Sequence, residues 1–348
     1  MNPGKLSIAA TFQNEKRGTA LCFHREGALC ISCGGGSVRL VDCLSGSSRK
    51  VVHCKKYGIN AAAYTHHELS IIHAGGEGGF QADNAIRYLS LYDNKYLRVF
   101  RGHELPVRTL TMCPSTDIFV SGADDALALW DLKDAKGAIA VMPGASRAAY
   151  SPDGLVLGAL SIDGDAIRLY DSRKYDVGPF ASFDISHDDV VQKSPGSDLP
   201  HRLKAATFCG LDFSPDGEKL LMRTDANVHL LYDSFDCKLL DVLWDAGDDT
   251  SDNNNIPDEP PPASLTNACF TPDGAHVVAG STKDPLLRSW RLNATTTSSG
   301  RPHATLKGHA IPVHHLAYSP NFDVLASVCA TTCIWLPSDP PNTNAAPL

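Results

Sequence analysis

The chain has 348 residues, which is enough for two ordinary domains or for one large array of repeats. Hydrophobic residues make up 43% of the sequence and charged residues 20%, as in globular proteins, and no apolar run approaches the roughly 20 residues of a membrane span. The formal net charge is −8, and residues 245–259 supply six acidic side chains and no basic one. The rest of the chain is nearly neutral, so it lacks the basic surface by which proteins bind nucleic acids.

The predicted elements are short strands joined by a turn phrase that recurs along the chain. An apolar strand precedes each turn, a second strand follows it, and a third strand ends in an aromatic residue, as in LALWD at 127–131. In a Pro-Asp-Gly turn, proline sets φ, aspartate bonds the local backbone and glycine accepts positive φ. The strong and weak copies are FHREG (23–27), YTHHE (64–68), MCPST (112–116), YSPDG (150–154), FSPDG (213–217), FTPDG (270–274) and YSPNF (318–322). Seven copies, spaced by about 40 residues plus insertions, predict an all-β repeat architecture.

The two ends of the repeat array are predicted to meet in one sheet. The last repeat supplies three strands, near 313–318, 324–329 and 332–336, whereas the early strand LSIAATF (6–12) belongs to no repeat. Placing this strand fourth in the last sheet hides an exposed strand edge. We therefore expect a closed ring.

One repeat carries a more specific pattern. Residues 102–131 begin with Gly-His, continue through two strands and end in Trp-Asp, and KGHAIPVHHLAYSP (307–320) opens a second such unit. This pattern resembles the WD40 repeat, and the resemblance covers about residues 18–338. It implies an all-β, seven-bladed WD40 β-propeller whose N-terminal strand closes the last blade. We expect one domain over 1–338 and a disordered tail over 339–348.

In WD repeats, the resemblance implies that a His, a Ser or Thr, an Asp and the Trp form one hydrogen-bonded set within a blade. A satisfied polar network of this kind makes a fold rigid. A catalytic His–Asp dyad is the competing interpretation, and it is disfavoured because the repeat accounts for both residues. The expected structural residues are His103, Ser121, Asp124 (or its neighbour Asp125), Trp130, His309 and Trp335.

Three phrases are unusual among WD repeats: AIRYLSLYDNKYLRVFRGH (85–103), IRLYDSRKYDVGPFASF (167–183) and LASVCATTCIWLP (325–337). In this order they resemble the small WD-repeat subunit shared by SET-domain histone H3 lysine methyltransferase complexes of the COMPASS type. The same family serves type-1 phosphatase complexes that act on RNA polymerase II and transcription termination. The resemblance implies a non-enzymatic nuclear scaffold without a cofactor. Its expected partners are the methyltransferase complex, a phosphatase-1 regulatory subunit and the phosphorylated polymerase tail.

Candidate partner-binding residues lie around the junction of repeats 2 and 3. Phosphoserine is recognised by Arg or Lys with backbone donors, and Tyr and Arg anchor many interfaces. Because a strand buries only alternate side chains, some of these residues must face outward. The competing interpretation is that the tyrosines pack between blades and the basic residues only solubilise a strand edge. The candidates are Tyr88, Lys95, Tyr96, Arg98, Arg101 and Arg108.

A second function fits two short phrases. WDLK (130–133) and YDSR (170–173) resemble the boxes by which some propellers dock on the adaptor of a cullin-type ubiquitin ligase. A substrate receptor of such a ligase is therefore the alternative. No nucleophile-elbow, zincin or paired-carboxylate motif occurs in the sequence, so we expect no enzymatic activity.

The remaining features indicate no metal site. Eleven cysteines are scattered, mostly inside apolar runs, which favours buried reduced thiols over disulfides or zinc ligands. Between the repeats, the stretches 186–204, 245–262 and 293–303 are longer than the family needs. Pro, Ser, Asp and Asn bury too little area to offset the cost of ordering, so we expect solvated loops there.

Overall fold

The computed structural model describes residues 1–76, 79–134, 136–163, 165–193, 199–204, 206–245, 265–292 and 301–338. Seven four-stranded antiparallel sheets, the blades, follow one another around a ring. The predicted seven-bladed β-propeller is thus confirmed. No helix in these described ranges is long and apolar enough to cross a membrane.

The strands are numbered in chain order and grouped here by blade, from the innermost strand outward. Blades 1 and 2 contain β2 Gly18–Phe23, β3 Leu29–Gly34, β4 Ser37–Asp42, β5 Ser47–His53, and β6 Ala61–Tyr64, β7 Ser70–Ala74, β8 Ile86–Ser90, β9 Lys95–Phe100. Blades 3 and 4 contain β10 Val107–Met112, β11 Ile118–Ala123, β12 Ala126–Asp131, β13 Ala140–Pro143, and β14 Ala145–Tyr150, β15 Val156–Ser161, β16 Ala166–Asp171, β17 Ala181–Asp184. Blades 5 and 6 contain β18 Phe208–Phe213, β19 Lys219–Thr224, β20 Val228–Asp233, β21 Leu239–Trp244, and β22 Ala268–Phe270, β23 His276–Gly280, β24 Leu287–Arg291, β25 Ala304–Leu306. Blade 7 contains β26 His315–Tyr318, β27 Leu325–Val328, β28 Thr331–Pro337 and β1 Leu6–Gln13.

The Pro-Asp-Gly turns join the first and second strands of three blades by one repeated set of hydrogen bonds. In blade 4 the Ser151 hydroxyl donates to Asp153 Oδ1 over 2.5 Å, and the same oxygen accepts the N–H of Leu155 over 3.0 Å. Gly154 has φ +74°, a left-handed conformation that favours glycine. The turns of blades 5 and 6 are built in the same way. The turn residues therefore fix where each strand ends.

The ring closes through the N-terminal strand, as predicted. Strand β1 pairs antiparallel with β28, with Leu6 opposite Pro337 and Gln13 opposite Thr331. The strand is one residue longer than the predicted span 6–12. Blade 7 thereby gains its outermost strand from the opposite end of the repeat array, and both edges of this seam are satisfied by backbone hydrogen bonds.

The hydrophobic core is divided into seven clusters, each between two neighbouring blades. The second strands carry much of it, because β3 and β7 are buried along their whole length. The cluster between blades 7 and 1 contains Leu21, Val41, Val328 and Ile334 and completes the circuit. Apolar burial therefore continues around the entire ring, which makes every blade depend on its neighbours.

The stretch 186–204 differs from its expected form. It contains two short helices, α1 His187–Lys193 and α2 Leu199–Lys204, rather than only a solvated loop. Val190, Leu199 and Leu203 are buried in the cluster between blades 4 and 5, and the helices contact the outer strands of blade 5. Leu199 and Leu203 lie four residues apart, on one face of α2, and their burial offsets the cost of ordering the segment.

The described regular structure also includes two 3₁₀ helices, Pro3–Lys5 and Tyr175–Val177. Most of the predicted insertions 245–262 and 293–303, and the whole tail 339–348, lie outside the described residues. The predictions for those segments stay predictions.

Candidate interaction surfaces

A polar network joins His103, Ser121, Asp125 and Trp130 within blade 3. His103 Nε2 lies 2.6 Å from Ser121 Oγ, and His103 Nδ1 lies 3.1 Å from Asp125 Oδ1. The indole N–H of Trp130 donates to the same Ser121 oxygen over 2.7 Å. Since the Asp125 carboxylate can only accept, this network assigns the imidazole proton to Nδ1. Both nitrogens of the buried imidazole therefore have hydrogen-bond partners inside the blade.

Asp125, and not Asp124, is the carboxylate of this network. Asp124 instead accepts hydrogen bonds from Arg108 Nε over 3.1 Å and from Arg147 Nη2 over 3.3 Å. The two carboxylates are adjacent in one turn and therefore point in different directions. Arg108 belongs to β10 and Arg147 to β14, so Asp124 links the innermost strands of blades 3 and 4.

Blade 7 repeats the network with one changed partner. His309 Nε2 lies 2.6 Å from Ser327 Oγ, and Trp335 Nε1 donates to that oxygen over 2.7 Å. His309 Nδ1, however, faces the Cys329 thiol at 3.1 Å and the Cys333 thiol at 3.9 Å. Among the described residues no carboxylate compensates for burial here, and burial lowers the pKa of His309 to about 4. The imidazole is thus neutral at physiological pH.

The thiols beside His309 form no metal centre. In the part of the chain that the structure describes, no three His, Cys, Asp or Glu side chains are arranged to hold a metal ion. Burial raises the pKa of Cys333 to about 12, so this thiol stays protonated. All eleven cysteines are free and nine of them are buried, in agreement with the prediction of buried reduced thiols.

Blades 2 and 6 contain buried arginines that the sequence reasoning missed. Arg87 binds Asp83 through two hydrogen bonds, Nη1–Oδ1 at 2.8 Å and Nη2–Oδ2 at 2.7 Å, and its guanidinium carbon lies 3.4 Å from the ring centre of Tyr57. Arg288 binds Asp284 in the same way, at 3.0 and 2.6 Å. In both blades an Asp precedes an Arg by four residues, across the turn between the second and third strands. This spacing in the sequence could have indicated the two ion pairs, because a guanidinium can bind a carboxylate through two parallel hydrogen bonds.

The six candidate partner-binding residues do not form one surface. Arg98 is paired with Tyr88 across β8 and β9, on the side that packs toward blade 3. Tyr96 points to the opposite side, where its ring contacts those of His73 and Tyr57. Arg108 lines the central cavity of about 420 Å³. Four of the candidates are therefore split between two faces of blade 2 and the centre of the ring.

Two of the candidates are well exposed. The side chain of Lys95 is 75% exposed and lies 3.3 Å from Asp93, and that of Arg101 is 72% exposed and lies 3.7 Å from Asp83. Both basic residues belong to the outer edge of blade 2, on or just after β9. Exposed ion pairs contribute little to stability, so these cations remain accessible to a partner.

The comparisons with known proteins agree with the geometry. The WD40 family, described as "WD domain, G-beta repeat", matches residues 94–131 and 300–336, which include the His, Ser and Trp residues of both networks. The chain is 33% identical over 330 residues to WD repeat-containing protein 82 of Drosophila melanogaster, covering 94% of this chain and 92% of that protein. It is 32% identical over 260 residues to the Set1 complex component swd2 of Schizosaccharomyces pombe, covering 73% and 66%. It is 28% identical over 320 residues to the COMPASS component SWD2 of Saccharomyces cerevisiae, covering 90% and 88%. The chain therefore belongs to the WD40-repeat family that includes these three proteins.

Proposed function

We propose that this chain is a non-enzymatic scaffold subunit of a nuclear chromatin complex that contains a SET-domain histone H3 lysine methyltransferase. The observation that carries the proposal is the similarity to a Set1 complex component and a COMPASS component, which extends over most of the ring rather than over single repeats. A binding function suits the fold, because rigid blades hold exposed loops in fixed positions.

We extend the proposal to a type-1 phosphatase complex that acts on RNA polymerase II and transcription termination. The family resemblance of the three unusual phrases supports this extension. Lys95 and Arg101 offer exposed cations next to surface carboxylates. A phosphate with a charge of about −2 would compete with those carboxylates for the cations. We therefore assign the outer edge of blade 2 as a contact for the phosphorylated polymerase tail.

The test of the scaffold proposal is affinity purification of the tagged full chain from nuclear extract, followed by mass spectrometry. We expect a SET-domain methyltransferase and a phosphatase-1 regulatory subunit among the recovered proteins. Recovery of a cullin adaptor without any methyltransferase would contradict the proposal and favour the ubiquitin-ligase alternative.

Two matched double charge reversals test which surface binds a partner, the outer edge of blade 2 or the two phrases that resemble ligase-docking boxes. Lys95→Glu with Arg101→Glu changes the exposed outer edge of blade 2, while Lys133→Glu with Arg173→Glu changes the two phrases that resemble ligase-docking boxes. Lys133 pairs with Asp117 at 2.7 Å, and Arg173 with Asp171 at 3.4 Å, so both pairs of variants replace surface cations beside carboxylates. With circular dichroism unchanged, we expect only the first variant to lose a partner. Loss of partners only in the second variant would move the contact to the other surface.

A further inference from the structure

An apolar groove opens between blades 4 and 5, at the end of the ring that carries their Pro-Asp-Gly turns. Its volume is about 470 Å³. Val156, Leu169 and Phe213 form the floor, and these residues come from β15, β16 and β18. Phe180 and Phe235 form the walls. The groove is therefore built on the strands of two blades and not on a loop alone.

The two wall phenylalanines are unusually exposed and are held in place. The exposed fraction is 62% for Phe180 and 78% for Phe235. The backbone N–H of Phe180 donates to Leu169 O over 2.9 Å, which fixes the start of β17. The backbone N–H of Phe235 donates to Asp233 Oδ1 over 2.8 Å. Exposed aromatic side chains on an anchored backbone mark binding sites, because their burial by a partner gains a large apolar area while the backbone is already ordered.

The rim of the groove is acidic. Asp153 and Asp216, one from each Pro-Asp-Gly turn, are the charged residues that line it. The hydrogen bond from the Ser151 hydroxyl lowers the pKa of Asp153, and in the described part of the chain no Lys or Arg lies within ion-pair distance of its carboxylate. Asp216 is partly compensated by Lys219, whose Nζ lies 3.6 Å away. The rim thus carries negative charge that complements a basic ligand.

We propose that this groove binds a short basic segment of a partner protein. One aromatic or large aliphatic side chain of the segment fills the cleft between Phe180 and Phe235, and a neighbouring Lys or Arg pairs with Asp153 or Asp216. The inference rests on the proposed scaffold function and names the chemistry of one partner contact. Anchoring of a peptide by one buried apolar side chain with charged flanks is a common mode of recognition.

The test is selection from a random-peptide phage library on the immobilised full chain, followed by anisotropy with the enriched peptides. We expect those peptides to share an apolar anchor flanked by Lys or Arg. Phe180→Ser with Phe235→Ser should weaken their binding by about tenfold or more. Asp153→Asn with Asp216→Asn keeps the turn acceptors and should weaken binding more at low than at high salt. Phe80→Ser, which changes an 87% exposed phenylalanine on blade 2, is the matched control and should bind as wild type.

Several results would overturn the inference. Equal binding of the enriched peptides to the Phe180/Phe235 variant, or no enrichment at all, would exclude the groove as a peptide site. A wild-type dimer in light scattering that becomes a monomer in this variant would assign the groove to a second copy of the chain. Failure of the scaffold proposal is seen separately, because the wild-type chain would then recover no methyltransferase complex whatever peptides it binds.

Discussion

Mild acid is expected to unfold the propeller, because five buried histidines must gain protons when the chain unfolds. Burial lowers the pKa of His73 and His309 to about 4, and that of His229, His314 and His315 to about 3. Nearby arginines lower the pKa further at every one of these positions except His309. In the unfolded chain the same side chains titrate near pH 6.5.

The magnitude follows from the difference in bound protons. The folded pKa values lie below the unfolded one, so this stabilisation is fully present above about pH 6.5 and is lost as the pH falls toward about 4. Each buried histidine removes about 1.4 kcal/mol of unfolding free energy per pH unit in that window. The five together therefore remove about 7 kcal/mol per pH unit. A domain stability of about 10 kcal/mol, in the middle of the usual range of about 5–15 kcal/mol, is then exhausted near pH 5. Carboxylates with a lowered pKa, such as Asp83 beside Arg87, lose their contribution only at lower pH.

The assay is urea unfolding at a series of pH values between 7 and 5, followed by tryptophan fluorescence and circular dichroism. His73→Leu removes one titrating group whose Nε2 has no hydrogen-bond partner among the described residues, and it should reduce the pH slope by about one fifth. Ile72→Leu, a buried substitution beside it on β7, should change the free energy equally at every pH. An unfolding free energy that stays constant from pH 6.5 to 5, or an unchanged slope in His73→Leu, would refute the reasoning.

Three further comparisons test the architecture. His103→Ala should destabilise the chain by about 1–3 kcal/mol in urea unfolding because it leaves buried polar partners unpaired, and His309→Ala should cost less because a thiol replaces the carboxylate there. Asp83→Asn should lower the melting temperature because it breaks the pair with a buried guanidinium, whereas Asp93→Asn, at an exposed pair, should leave it unchanged. Deletion of residues 1–13 removes β1 and should abolish a soluble monomer in size-exclusion chromatography.

Each of these three predictions would be contradicted by a specific result. A His103→Ala chain that melts with the wild type but loses a partner would make this residue part of an interface. Equal melting temperatures for the two Asp→Asn variants would mean that the buried pair contributes nothing. A stable monomer without residues 1–13 would contradict ring closure by β1.

Most of the fold could be predicted because its signals are local. The Pro-Asp-Gly turns repeat along the chain, and each one acts through bonds within five residues. Ring closure could also be predicted from the sequence, since the strand at 6–12 had no repeat of its own and the last repeat lacked a fourth strand. The His103 network was found by the same logic, because the Gly-His, Ser-Gly and Trp-Asp positions keep their spacing within one blade.

Two of the features that were missed depend on side-chain direction or on packing between blades. Sequence does not decide which of two adjacent carboxylates, Asp124 or Asp125, faces the imidazole, because the turn sets their directions. The Arg87–Asp83 pair did have a local signal, the spacing of four residues. The groove between blades 4 and 5 had no local signal, since Phe180 and Phe235 are far apart in the chain and line one groove only when the two blades pack together.

The pairing of β1 with β28 also delays completion of the fold during synthesis, because the two strands are made at opposite ends of the repeat array. Thr332 of β28 bonds Asn14, just after β1, from 318 residues further along the chain. At translation rates of about 5–20 residues per second, β1 waits about 15–60 s for the strand it pairs with. During that interval Ile8, Ala10 and Phe12, which alternate with exposed residues, have no sheet to pack against. Nascent chains of this protein are therefore most open to misassembly and to chaperone capture until the last blade leaves the ribosome.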